Sequence, residues 1–441
     1  MSSNLKTKEK SFYITTLGCP KNVADSRSMG TSLLTGGLLK ADSPDESKFH
    51  IINTCTFIQT ATEETIETIL DAAKITKQNG QKLIVVGCFA ERYPGAIEKD
   101  IPEVDFFFGT GKYDKAFELI KEKFPEEFIL EPNSDLLRRE ILYEIKGKPY
   151  SYIKLSDGCN RACHFCIIPN LRGEYRDEKE EEILKQVKLA CENGSKEICL
   201  VSQDSVFYGK DTDKLISLLH TISGIEGLEI LRLLYLYPDK KTYRLLDVFK
   251  ENPKIAPYFE SPVQHVSESV LKNMNRTGSY SFFKELFTKA REVPGMEVRT
   301  SFILGYPGET AKDVDLLLRF VEEIKPEKLA LFAFSPQEDT KAFKLKSTVS
   351  KKEAARRINL VREVYHQVLK DIHLSRMGKE YPCIVEEKEN DSLIVRRFQD
   401  APEIDEIVHI DEFSGDIKIG DIGKVRIDSF LEYDMTGTWI N

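Results

Sequence analysis

From residue 10 to about residue 126 the chain alternates short apolar runs with stretches whose apolar positions recur at helical spacing. The runs are SFYITTL, FHIINT, KLIVVG and VDFFFG, rich in β-branched and aromatic residues. Strand-then-helix alternation predicts a small α/β layer of Rossmann or flavodoxin-like type with a mainly parallel sheet. From residue 148 the alternation resumes with longer repeats, in SYIKLSDG, EICLVSQD, LEILRLLYLYP, YFESPVQH, VRTSFILGYPG and KLALFAFSP. Helical patterns such as EEEILKQVKLACENG and ETAKDVDLLLRFVEEI follow them. Six such units predict a partial (β/α)6 barrel, whose working groups belong on the loops after the strands.

The long helical stretch KKEAARRINLVREVYHQVLKDIHL closes that region. Beyond Gly378 the period falls to two, in YPCIVEE, SLIVRRF, EIVHI, IGDIGKVRIDSF and MTGTWI. Gly, Asp and Asn turns separate these runs, which predicts a small antiparallel β-barrel of about five strands, OB-like in size. Three domains are therefore expected, at residues 10–126, 145–374 and 376–441. Residues 127–147 read as a linker with a strand or helix of its own.

Composition narrows the class. Of 441 residues 41% are hydrophobic and 31% charged, with a mean hydropathy of -0.34, which excludes a disordered chain. MSSNLKTKEK has no apolar core, and no apolar run approaches the ~18 residues of a membrane span, so the expectation is cytoplasmic, with no membrane partner. The nine cysteines are an odd number, and most follow strand-like runs, which points to reduced thiols holding metal rather than a disulfide scaffold. Charge is uneven. Residues 376–441 hold 8 Lys or Arg against 16 Asp or Glu, a net of -8 within a total of -9.

The segment GCNRACHFCIIP spaces Cys159, Cys163 and Cys166 as CxxxCxxC, directly after the first strand of the predicted barrel. Three thiolates on one short loop suit three irons of a cubane cluster and leave the fourth open to chelate the amino and carboxylate groups of S-adenosylmethionine. The bland readings are a zinc site completed by His164 or a plain electron-transfer cluster. Zinc sites favour paired CxxC knuckles, and the chain has no second one. Three apolar runs of the first domain also end at cysteines: Cys19, Cys55 and Cys88. Ligands of open α/β sheets sit at the carboxyl ends of the strands, so these thiols are candidates for one site, although any one alone reads as a small buried hydrophobe.

CxxxCxxC after the first strand of a β/α barrel resembles the radical S-adenosylmethionine superfamily. With TLGCPKN, NTC and VGC before it and a small β-barrel (a TRAM domain) after it, the chain looks like the methylthiotransferases over essentially its whole length. The resemblance implies two 4Fe-4S clusters, one on Cys159, Cys163 and Cys166 and an auxiliary one on Cys19, Cys55 and Cys88. It also implies that backbone next to Phe165 and Ile167 recognises adenine. Gln203 and Asp204 of VSQD, Gln264 of PVQH, and Gly305, Gly308 and Glu309 of FILGYPGET look like parts of the S-adenosylmethionine or substrate pocket. Glu309 and Thr310 equally suit a helix cap. His265 reads either as a pocket residue or as a hydrogen-bonded residue behind it. Cys191, Cys199 and Cys383 match no ligand of the family and are expected in the core.

VSQDSVFYG, PVQHVSESVLKNMNR, LRLLYLYP and SFILGYPGET are similar to the branch that modifies an aspartate β-carbon of a small-subunit ribosomal protein, protein S-twelve. The transfer-RNA branch usually has GQN and PVQSGS at the first two. Charge agrees: a module of net -8 repels phosphate and attracts a basic protein, free or in the assembling ribosomal subunit, so no stable nucleic-acid binding is expected. Glu403, Asp405 and Glu406 are taken as exposed docking acids. A reducing electron donor such as flavodoxin or ferredoxin is implied. The alternatives are a transfer-RNA adenosine methylthiotransferase and a non-catalytic iron–sulfur electron-transfer protein, of which only the second should release no 5′-deoxyadenosine from S-adenosylmethionine.

Overall fold

The computed structural model describes residues 10–128, 143, 147–389 and 391–440. Most of the linker expected at residues 127–147 lies outside them. The chain divides into two compact units, one of residues up to 144 together with Asp157–Asn160 and Cys166–Arg176, the other of the remainder.

In the first unit the strands are β1 (Ser11–Thr16), β2 (Leu39–Lys40), β3 (Phe49–Thr54), β4 (Lys82–Gly87) and β5 (Phe106–Phe108). Their order is β2-β1-β3-β4-β5, with every pairing parallel. Four are the apolar runs of the sequence, whereas β2, at two residues, carries too little pattern to be read. Alternate residues of the central strands feed opposite faces. Ile51 and Ile84 join Phe12, Met29 and Leu33 in one cluster, and Ile52 and Val85 join Ile69 and Phe89 in the other. After β1 the chain builds outward to β2 and then returns past β1 to β3. The order therefore reverses between β1 and β3, and that reversal opens a crevice at their carboxyl ends.

In the second unit six parallel strands form the predicted partial barrel. They are β6 (Tyr150–Lys154), β7 (Glu197–Val201), β8 (Ile230–Leu233), β9 (Tyr258–Glu260), β10 (Glu297–Leu304) and β11 (Lys328–Ala333). They pair as two three-stranded sheets that meet at a bridge between Leu231 and Ile255. Helix Lys351–Arg376 leads into a closed five-stranded barrel of β12 (Glu380–Glu389), β13 (Ser392–Arg397), β14 (Val408–Ile410), β15 (Ile422–Leu431) and β16 (Asp434–Ile440). Cys199 and Cys383 lie in the core, but Cys191, expected there, is only half-buried, because the apolar face of its helix is carried by Ile183, Val187 and Ala190. No helix among the described residues is long and apolar enough to cross a membrane.

The two barrels of this unit meet through buried charge. Glu197, Glu297 and Lys328 each open a barrel strand, so they lie at its amino-terminal end. Arg397 of β13 pairs with Glu297 at 3.0 Å and Asp400 at 2.8 Å, and Arg376 and Lys328 reach the same Glu297 at 2.7 and 2.5 Å. Arg396 pairs with Glu197 and, at 2.7 Å, with Glu386. Asp405 takes Arg299 at 2.5 Å, Glu406 lies 3.7 Å from Lys328, and Glu403 accepts from the Tyr150 hydroxyl at 2.9 Å. The expectation of exposed docking acids therefore fails for Asp405 and Glu406 and holds for Glu403, which is exposed although it accepts from Tyr150. Asp405 and Glu406 turn inward, because the barrel floor supplies cations that need counter-charges.

Burial alone would raise the Glu297 carboxyl, but Arg397, Lys328 and Arg376 overcome it and hold it at about 2. Burial wins at Glu406, pushing its carboxyl to about 7. A group lowered on folding gives stability above its unfolded value of about 4.3 that is lost as pH falls, whereas a raised one weakens the fold as pH climbs from about 4.3 towards its folded value. In urea unfolding at pH 7, Glu297→Gln should therefore destabilise the second unit by ~3–5 kcal/mol and Glu406→Gln by under ~1 kcal/mol. Equal losses would show that the network does not partition its charge this way.

Candidate functional site

The three amino-terminal cysteines meet at the crevice of the first unit. Gly18, at φ 91°, precedes Cys19, and a Cβ there would stand 2.7 Å from Cys55 Cβ and 2.9 Å from its Sγ. Only glycine allows that approach. Cys19 then starts helix Pro20–Thr35, its carbonyl accepting from the Asn22 and Val23 amides at 2.8 and 3.3 Å. Cys55 follows β3, and the Thr65 hydroxyl brackets it, donating to its carbonyl at 2.7 Å and accepting its amide at 3.3 Å. Cys88 opens a short helix directly after β4. Asn22 ties the strand ends together by donating to the carbonyls of Leu17 at 2.7 Å and Thr54 at 3.1 Å.

Burial pushes the Cys55 thiol up to about 12, and the neighbouring Cys19 and Cys88 add to the rise. Burial likewise raises the Cys88 thiol, against the pull of Arg172. Thiolates of this kind form more readily beside a metal centre, which an iron–sulfur cluster would supply to Cys55 and Cys88. Among the described residues no three His, Cys, Asp or Glu side chains close on a single metal ion. A cubane attaches each thiolate to a different iron, so its ligands need no such point. Cys19 is exposed, Cys55 half-buried and Cys88 buried, which leaves the crevice open on one side.

Two features here escaped sequence reading. Ile167 and Leu171 pack on Cys88, and the Ile167 carbonyl accepts the first-turn amides of helix Ile168–Arg172. Arg172 then lies among Asn22, Asp25, Asp157 and Cys88. Asn22 and Asp25 share a helix face, but nothing local in the sequence pairs them with Arg172.

The second unit holds Cys163, with Arg276 donating to its Sγ at 3.5 Å. The loop around it is fastened to a turn after helix Glu268–Asn273: His164 donates its amide to Met274 at 2.9 Å, and Asn275 donates to the Ala162 carbonyl at 2.9 Å. His164 Nδ1 faces the Asn273 carbonyl at 2.9 Å and so carries the proton. Phe165 packs beside Val270, Met274 and Tyr306. Arg161 pairs with Asp204 at 2.5 Å and Asp239 at 2.9 Å while lying 3.8 Å from the centre of the Tyr237 ring, to which Arg276 comes within 4.5 Å. The sequence motifs gave Asp204 but not Arg161, Tyr237, Asp239 or Arg276, which come from three different loops.

Gln203 Oε1 and Asp204 Oδ1 are buried acceptors with no protein partner. Gln264 adopts φ 71°, held between the Ser301 carbonyl and the Ile303 amide. Glu309 meets its own protein instead of a pocket: one oxygen accepts from the Gly305 amide at 2.9 Å, the other from Arg357 at 2.7 Å. The helix cap next to it is Thr310, with Asp313 completing a capping box. Gly305 leaves room for Ala354, whose Cβ would stand 2.6 Å from a Cβ there, and Gly308, at φ 90°, fits against Asn273. His265 is fully buried, and its Nδ1 accepts the Val266 and Ser267 amides, each at 2.9 Å. Burial lowers its pKa to about 4, so it stays neutral behind the loop.

Comparison with known proteins agrees with this layout. Residues 11–109 match the family described as uncharacterized protein family UPF0004, residues 153–321 the radical SAM superfamily, and residues 377–440 the TRAM domain. A ribosomal protein uS12 methylthiotransferase RimO from Leptospira biflexa serovar Patoc is 62% identical over 99% of this chain and 99% of its own. One from Thermoanaerobacter sp. is 37% identical over 98% of this chain and 100% of its own. In fold alone, the solved structure of the radical S-adenosylmethionine methyltransferase TsrM from Kitasatospora setae is similar, with a TM-score of 0.58 at 11% identity over 76% of this chain and 74% of that one. Flavodoxin-like layer, partial barrel with its cysteine loop, and terminal β-barrel together define a radical-SAM enzyme. The chain belongs to the RimO-type ribosomal protein uS12 methylthiotransferase family.

At pH 8 a thiol raised to about 12 is only ~1 part in 10,000 thiolate, against about a quarter for an ordinary cysteine. In metal-free protein, iodoacetamide should therefore modify exposed Cys19 first and Cys55 at least ~100-fold more slowly than an ordinary cysteine, as followed by peptide mass mapping. Fast labelling of Cys55 would contradict the buried geometry.

Proposed function

We propose that this chain inserts a methylthio group at the β-carbon of an aspartate in ribosomal protein uS12, with 4Fe-4S clusters on Cys19, Cys55 and Cys88 and on Cys159, Cys163 and Cys166. The observation that carries the reading is the convergence of Cys19, Cys55 and Cys88 at the β1/β3 crevice. With S-adenosylmethionine bound, such clusters supply a 5′-deoxyadenosyl radical and a sulfur to be methylated and transferred. The β-hydrogen of an aspartate is too weakly acidic for an ordinary general base, and the two histidines nearest the pocket are engaged elsewhere: His265 is sealed and His164 is tied to Asn273. Its residues bind and orient instead. Arg161, Asp204, Gln203 and Gln264 are the pocket residues favoured for cofactor or substrate, and the backbone beside Phe165 for adenine. The cytoplasm and a donor of the flavodoxin or ferredoxin kind fit a chain that requires reduced thiols and low-potential electrons.

The terminal barrel favours a basic protein over RNA. Its inward face neutralises Arg376, Arg396 and Arg397, so its solvent face keeps an excess of acids such as Glu389, Asp391, Asp411, Glu412, Asp416 and Asp421. A groove lined by Glu387, Glu389, His409 and Asp411 offers Lys and Arg side chains a seat.

Reconstituted protein should hold about eight irons, and the triple change Cys159→Ala, Cys163→Ala, Cys166→Ala about four, with loss of 5′-deoxyadenosine release. Replacing Cys19, Cys55 and Cys88 by Ala should preserve that release and stop methylthiolation of uS12. Retained methylthiolation would remove the auxiliary site from the reading.

Reversing Glu389, Asp411 and Glu412 to Lys should slow association with uS12 at least ~10-fold at low salt and much less at 0.5 M, where the screening length falls to about 4 Å. Uncoupled 5′-deoxyadenosine release should not change. Transfer-RNA methylthiolation by the wild-type protein would replace the protein substrate with RNA.

A further inference from the structure

One buried cation of the first unit points at a cysteine sulfur. Arg172 closes helix Ile168–Arg172, six residues beyond Cys166, and is 4% exposed. Its Nη1 donates to Asp25 at 2.7 Å and to Asp157 at 3.3 Å, and its Nη2 donates to Asn22 Oδ1 at 3.0 Å and to Cys88 Sγ at 3.6 Å. Lys21, 3.1 Å from Asp157 and 4.0 Å from Asp25, completes a set of two cations and two carboxylates. The carboxylates answer the desolvation of the guanidinium. They do not require that its second nitrogen point at a cysteine sulfur. A thiolate accepts such a bond more strongly than a thiol, and a cluster gains negative charge when it is reduced.

We propose that Arg172 is a positioning residue for the cluster held by Cys19, Cys55 and Cys88: it orients the Cys88 thiolate and, by donating to its sulfur, raises the reduction potential of that cluster. The inference rests on the reading of those three cysteines as cluster ligands. Asn22 gives the arrangement its rigidity, because the side chain that receives Arg172 also donates to Leu17 and Thr54, next to the other two cysteines. Asp25 acts in the opposite sense, since its charge opposes that of Arg172 close to Cys88.

The test uses the full chain with Cys159, Cys163 and Cys166 changed to Ala, so that one cluster remains, and reads its midpoint potential by redox titration followed by electron paramagnetic resonance. Arg172→Met should shift the one-electron reduction equilibrium about tenfold towards the oxidised form, about 59 mV lower, with Arg172→Lys falling between. Asp25→Asn should shift it the other way. Unchanged midpoints in Arg172→Met and Arg172→Lys at full iron content, or a downward shift in Asp25→Asn, would overturn the inference. If Arg172→Met does not retain iron, Arg172→Lys and Asp25→Asn decide it. A parent protein that never holds about four irons would instead overturn the reading of the cysteines as ligands, and the two failures are distinguishable by iron analysis alone.

Discussion

Withdrawal from water makes the Cys55 and Cys88 thiols resist ionising, and the first unit is arranged around that constraint. Parallel strands bring their carboxyl ends to one edge, the order reverses between β1 and β3, and the crevice collects Cys19, Cys55 and Cys88. Gly18 permits the close approach, and Asn22 and Thr65 fix the backbone on either side. Arg172, paired with Asp25 and Asp157, donates to the Cys88 sulfur.

The second unit separates two uses of charge by the two ends of its strands. At the amino-terminal end, Glu197, Glu297 and Lys328 lock the terminal barrel in place through ion pairs that are nearly dry. Such pairs add little net stability over apolar packing, but breaking one leaves an uncompensated charge, so they favour a single docking arrangement. At the carboxyl-terminal end, Asp204, Asp239, Arg161, Arg276 and Gln264 come from separate loops, and several keep unpaired polar atoms or a positive φ. That is the division expected of a β/α barrel, with the floor for stability and the loops for chemistry.

Hydrophobic periodicity determined most of the architecture. A parallel strand buried on both faces must read as a short continuous apolar run, and a barrel strand with one wet face as an alternation, so β1, β3–β11 and the five terminal strands were legible in residue order. CxxxCxxC was legible because eight residues of one loop contain the whole motif. The cysteines at 19, 55 and 88 were legible only as strand-end positions, and it was the family resemblance that joined them.

Partners distant in sequence were decided by the tertiary structure alone. No local pattern reveals that Arg172 meets Asn22, Asp25 and Cys88, or that Arg161 and Arg276 share the Tyr237 ring. The acids at 405 and 406 show the same limit from the other side. In the sequence they are a charge cluster, which ordinarily lies in solvent, yet their fate depended on cations brought to the barrel floor from strands far away in the chain. The sequence by itself determined which residues form strands, helices and the cysteine loop, because backbone periodicity and loop spacing are local. Only the fold decided which charges are buried together, because desolvation depends on neighbours that the order of residues does not name.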